Sequence, residues 1–138
     1  MNPRAIELQK QIVIVIAGGI ADAWERIVVN YEMADEDGGL TEDRTGFYIA
    51  ADSSGELRDK DISFTDPVKE MFRALREEMR KTSGDAWSTC DLVIDPPGKF
   101  HYNFSYDPPK RINGVFDEES MGRFDHYLES YKAERARA

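Results

Sequence analysis

Residues Lys99 to Tyr106 alternate without a break: Phe100, Tyr102, Phe104 and Tyr106 fall on one side, Lys99, His101, Asn103 and Ser105 on the other. Successive side chains of a strand point to opposite faces, so this pattern predicts a strand with an aromatic face backed by a polar one. Trp87 to Ile94 is also strand-like, and Asp95-Pro96-Pro97-Gly98 joins the two. Proline fixes φ and glycine supplies a positive φ, so these four residues suit a tight reversal. A β-hairpin follows. Strands joined by short turns run antiparallel, and this restricts the folds open to the chain.

The segments before the hairpin supply helices and further strands. Pro3 to Ala17 is ambiguous: Ile12-Val13-Ile14-Val15-Ile16 is β-branched and favours strand, whereas Ile6, Gln9, Val13 and Ile16 recur at helical spacing. Pro3 suits a first turn and Gly18-Gly19 a C-terminal stop, and the balance favours helix. Arg26 to Ala34 and Thr45 to Ala51 alternate as strands, with Asp35-Glu36-Asp37-Gly38-Gly39 read as a flexible acidic loop between them. Glu56 to Ile62 is a candidate charged edge strand. Asp66-Pro67 reads as a helix start with Asp66 as N-cap. The stripe Val68, Met71, Phe72, Leu75 and Met79 makes the helix amphipathic, and Gly84 ends it.

After the hairpin, Ile112-Asn113-Gly114-Val115 reads as a turn. Asp117 is placed to cap a last helix bearing Met121, Phe124, Leu128 and Tyr131, and Ala133 to Ala138 is expected to fray. The predicted architecture is α+β, a single domain over residues 1–138. Its antiparallel sheet has four to five strands and its helices number three, in the order α-β-β-(β)-α-β-β-α. One sheet face packs under helices and the other is partly solvated.

Charge narrows the function. The formal net charge is −9 over 138 residues, which argues against holding a nucleic-acid backbone and favours basic partners. The apolar run Ile12 to Ala17 is too short to span a bilayer. A single cysteine, Cys90, and no leader peptide point to the cytoplasm. No metal-ligand spacing, phosphate loop or nucleophile motif occurs, so neither a cofactor nor a metal is expected. Cys90 has no local activating group and reads as a structural thiol. Trp24 and Trp87 read as core residues, and the aromatic row reads as packing under the helices rather than a base-stacking platform.

His101 could serve a small hydrolase or ligand-binding domain as a general base beside a carboxylate such as Asp91. The plainer reading is a solvent-side strand residue, because a base needs a positioned partner. The acidic clusters Asp35-Glu36-Asp37 with Glu42-Asp43, and Asp117-Glu118-Glu119, are the candidate partner-binding residues. Such surfaces raise association rates and reject wrong partners.

Several of these features also recur together elsewhere. They are Trp24-Glu25-Arg26 opening a strand, the helix Pro67 to Lys81, Trp87 leading a strand, Gly98-Lys99-Phe100, the aromatic strand ending Tyr106-Asp107, and Arg111-Ile112-Asn113-Gly114. In that order, over roughly Ile6 to Tyr131, the chain resembles the YezG-like family of bacterial antitoxin and immunity proteins. The resemblance implies an α+β fold and no catalysis. It also implies binding and neutralisation of a cognate toxin domain, often a nuclease in this family and therefore basic. It carries over no catalytic residue, and it leaves the oligomeric state, including a homodimer, open.

Overall fold

A computed structural model describes residues 1–137. The chain runs α1 (Pro3–Gly18), β1 (Trp24–Glu36), β2 (Gly39–Ala51), β3 (Leu57–Asp61), α2 (Asp66–Ser83), β4 (Thr89–Asp95) and β5 (Lys99–Ser105). A π-helical turn (Glu118–Gly122), α3 (Arg123–Asp125) and α4 (Tyr127–Arg137) follow. The five strands form one sheet in the order β3-β2-β1-β4-β5, every neighbouring pair antiparallel. This is the α+β arrangement the strand and helix periodicities predict.

The ambiguous first segment is a helix. Asn2 caps it, its side-chain oxygen accepting the Ala5 N–H at 2.8 Å, and Pro3 lies in the first turn, where a missing N–H costs nothing. Its β-branched residues are tolerated because Ile12, Val13 and Ile16 are buried, and burial outweighs a few tenths of a kcal/mol of propensity. The α2 cap differs from expectation. Thr65, in extended conformation, accepts the Val68 N–H, while Asp66 and Pro67 are already helical. Asp66 sits in the first turn, where a carboxylate favours the helix dipole instead of capping. Gly84 ends α2 at φ +85°, a left-handed conformation that glycine enters without a Cβ clash.

Both helices lie on one sheet face. Ala5, Leu8, Ile12, Val13 and Ile16 of α1 and Val68, Phe72, Leu75 and Met79 of α2 enclose Ile27, Val29, Tyr31, Met33, Cys90, Leu92 and Ile94. Each large apolar side chain buried there contributes about 1.5–3 kcal/mol. Tyr31 is wholly buried, stacks on Phe72 with ring centroids 4.6 Å apart, and donates its hydroxyl to Glu42 at 2.6 Å. Residues 62–64 cross over β2 at Gly46, where an added Cβ would lie 2.7 Å from Ile62 and 2.8 Å from Phe64.

Further expectations need correcting. The acidic loop is not flexible: Asp35 pairs with Leu40 and Glu36 with Gly39 in the β1–β2 ladder, so only Asp37 and Gly38 turn. Asp35 is held there by Arg76 and Arg80 of α2. Arg76 of α2 is itself buried and donates to the Trp87 carbonyl at 2.7 Å. The final helix is broken into the π-turn, α3 and α4. Asp117 does cap it, with Ser120 returning the bond as a capping box. Residues 133–137 are helical, and Arg135 bonds Glu25 at 3.1 Å. Ala138, also in the tail expected to fray, lies outside the described residues.

Trp87 is wholly buried as expected, and Trp24 partly so, packed against the same core. Tyr102 and Phe104 also pack against this core, while Phe100 and Tyr106 remain exposed, so only half of the aromatic row is interior. No described helix is long and apolar enough to cross a membrane.

Candidate partner-binding surface

Facing away from α1 and α2, the sheet carries Val28, Asn30 and Glu32 on β1, Phe47, Thr45 and Asp43 on β2, and Thr89, Asp91 and Val93 on β4, as the strand register requires. Polar residues in the middle of a sheet face need partners, and the chain after β5 supplies them. It returns across this face. Phe124 and Tyr127 cover Val28 and Phe47, and Arg111 enters the polar half with a side chain only 4% exposed.

Arg111 is the centre of a network. Its guanidinium donates to Asn30 Oδ1 at 2.7 Å, to Asp43 Oδ2 at 2.6 Å and to the Ser120 carbonyl at 3.1 Å. It lies 3.3 Å from Glu32, whose side chain is 3% exposed. The Glu32 carboxylate also accepts the backbone N–H of Arg111 at 3.2 Å and of Ile112 at 3.0 Å. Asn30 passes the chain of bonds to Asp91 at 2.6 Å, and Asp91 accepts from Arg123 at 3.1 and 3.2 Å. Beside the network a polar recess of about 310 Å³ opens between β4, β5 and the returning segment, with Asn103, Lys110 and Glu119 on its walls.

His101 has no place in such an arrangement. It pairs with Val93 across the hairpin and is exposed, whereas Asp91 pairs with Asn103 and is engaged by Asn30 and Arg123. Cys90 is wholly buried and its thiol is pushed up by that burial, which suits a structural role. Among the described residues no group of His, Cys, Asp or Glu is arranged to hold a metal ion.

The predicted acidic residues divide into three groups. Glu42 is tied to Arg73 at 2.6 Å, Asp43 to Arg111, and Asp35 to Arg76 and Arg80. Burial works to raise the Glu42 pKa, and its bonds to Arg73 and Tyr31 outweigh this and hold it lowered. The Arg76 bond is the largest cause of the lowered Asp35 pKa. Asp117 and Glu119 share Lys110, at 2.8 and 3.1 Å, and the Lys110 bond does most to lower the Asp117 carboxyl to about 2. Glu36, Asp37 and Glu118 meet no cation among the described residues, and Glu36 and Asp37 stand together at the tip of the β1–β2 hairpin. The structure thus brings Asp35, Glu36 and Asp37 to one end of the sheet and keeps Asp117, Glu118 and Glu119 on the separate returning segment.

A further acidic patch was not singled out from the sequence. Asp59 and Asp61 of β3 and Asp125 of α3 rim a recess of about 280 Å³ floored by Phe47 and Phe124, and none of the three meets a cation among the described residues. Two-residue spacing put Asp59 and Asp61 on one face. The approach of Asp125 depended on the path of the returning segment.

A protein-family model described as immunity protein YezG-like matches residues 6–127. The chain belongs to the YezG-like immunity protein family. A search of curated proteins gives no match. The family match takes in all five strands, α2 and the Arg111 segment, and stops at the start of α4. The polar network and the returning segment as far as Tyr127 lie within the matched stretch.

Proposed function

We propose that this YezG-like chain acts without catalysis: as a single domain over residues 1–138, it binds a cognate toxin domain in the cytoplasm of the producing cell and blocks it. The observation that carries the reading is the family match over residues 6–127. The charge of −9 supports a basic partner, as a toxin that holds phosphates would be, and argues against binding nucleic acid directly.

Charge that is already paired within the fold contributes little to a partner's field. The docking surface proposed here is therefore the free part of the acidic set. At the hairpin tip it comprises Glu36 and Asp37, beside the braced Asp35, Glu42 and Asp43. On the other side of the sheet Glu118, with Asp117 and Glu119, adds to the same negative potential. Asp59, Asp61 and Asp125 extend it.

The test is co-expression with candidate toxin domains, basic nuclease-like ones first, scored as growth rescue, followed by association kinetics of the purified pair. Glu36→Lys with Asp37→Lys is expected to slow association several-fold and flatten its dependence on salt, leaving stability unchanged. No rescue by the wild-type chain overturns the function. Unchanged kinetics in the double variant overturn the surface.

A further inference from the structure

The two edges of the sheet are built differently. β3 carries Arg58, Asp59, Lys60 and Asp61 in succession, and Lys132 of α4 bonds Glu56 just ahead of it. Charge on an edge discourages pairing with another chain. β5 carries one charge, Lys99, at its start, followed by Phe100, His101, Tyr102, Asn103 and Phe104. Its free backbone groups can be assigned. The Met33 N–H bonds the Ser88 carbonyl, so residues 90, 92 and 94 face β1, while the Ser88 N–H turns to the Ser105 carbonyl and Thr89, Asp91, Val93 and Asp95 pair with Ser105, Asn103, His101 and Lys99 of β5. The N–H and C=O groups of Phe100, Tyr102 and Phe104 therefore point away from the sheet.

The segment has the same pattern in either direction: aromatic, polar, aromatic, polar, aromatic. An antiparallel pairing of two copies about a two-fold axis at Tyr102 sets Phe100 against Phe104, His101 against Asn103, and Tyr102 against its own copy. It uses the outward backbone groups and places Lys99 opposite Ser105, so no like charges meet. The helix above this edge has the same centre. The Tyr102 hydroxyl donates to the Gln9 carbonyl at 2.8 Å, so an axis at Tyr102 passes beside the middle of α1. Ile6, 43% exposed, and Ile14, 68% exposed, flank Gln9 and Lys10 on either side. The axis runs the two α1 helices antiparallel above the joined sheets.

We propose that β5 is a self-association edge, at which a second copy of this chain adds its own β5 antiparallel, centred on Tyr102, to join two five-stranded sheets. This is independent of the toxin-binding reading. The test is sedimentation velocity over roughly 1 to 300 μM, the range in which small interfaces dissociate. His101 and Asn103 are exposed, so both can be changed without touching the core. His101→Lys with Asn103→Lys sets lysine against lysine twice across the axis and is expected to weaken the dimer roughly tenfold. His101→Lys with Asn103→Glu sets lysine against glutamate twice and is expected to restore or tighten it. Far-ultraviolet circular dichroism verifies that each variant is folded. A wild-type chain that stays monomeric throughout overturns the proposal. So does a dimer indifferent to both variants, or one that both weaken equally.

Discussion

Replacing Arg111 by methionine tests whether the polar network clamps the returning segment to the sheet. The variant keeps most of the side-chain volume and removes the charge. The bond to Asp43 matters least, because that carboxylate is half exposed and water can replace the arginine. Glu32 decides the outcome. At 3% exposure it would lose its cation where little water reaches it, and breaking a buried pair in this way costs about 3–5 kcal/mol. The two backbone N–H bonds that Glu32 keeps place the expectation at the lower end, about 3 kcal/mol. For a chain of this size that lowers Tm by about 10 °C. The assay is urea unfolding followed by tryptophan fluorescence and circular dichroism. A companion variant, Arg111→Met with Glu32→Gln, removes the stranded charge and is expected to recover at least about 1 kcal/mol of the loss. A single variant costing under about 1 kcal/mol, or no recovery in the double, refutes the clamp.

Three further outcomes are expected. Gly46→Ala pushes a methyl group into Ile62 and Phe64; it should cost about 1–3 kcal/mol in the same unfolding assay, and a neutral result would mean that the crossing segment is loose. Asp52 and Asp117 both have carboxyl pKa values lowered to about 2, the first mainly by the Ser54 side chain and the second mainly by Lys110. A folded value below the unfolded one gives stability that is present above the ordinary carboxylate range and lost as pH falls through the folded value. The urea midpoint should therefore hold from neutral pH to about 5 and drop between about 4 and 2, and a midpoint that rises on acidification contradicts the pairing. Cys90, buried and with its thiol pushed up, should react with a thiol reagent only as fast as the chain opens; immediate labelling of the native protein would contradict its burial.

The sequence made the fold legible wherever local periodicity and the final environment agreed. The β4–β5 hairpin, the α2 stripe and the stop at Gly84 depend on side chains within a few residues of one another. Local pattern alone shortens the β1–β2 hairpin, because charged residues near a glycine pair resemble a loop. What keeps Asp35 in the ladder is Arg76 and Arg80, more than forty positions away, and no local pattern contains that information. The surface was legible as charge and illegible as free charge. Glu42, Asp43 and Glu36 look alike in the sequence, yet Arg73 and Arg111 engage the first two, and among the described residues the third bonds Thr41 and no cation. Arg111 stood out as part of a recurring motif, but its role required the path of the segment after Pro109, which proline-rich spacing does not determine.

The strand order β3-β2-β1-β4-β5 has a consequence for how the chain is made. The first three strands form a local meander that can assemble as soon as residue 61 has left the ribosome. Until β4 arrives, the inner flank of β1 from Ile27 to Glu32 lies open, with its hydrogen-bonding groups unmet, and Val28 on the outer face still lacks the cover of Phe124. A synthesis pause or a premature stop between α2 and Thr89 would release a chain with a sticky strand at its centre.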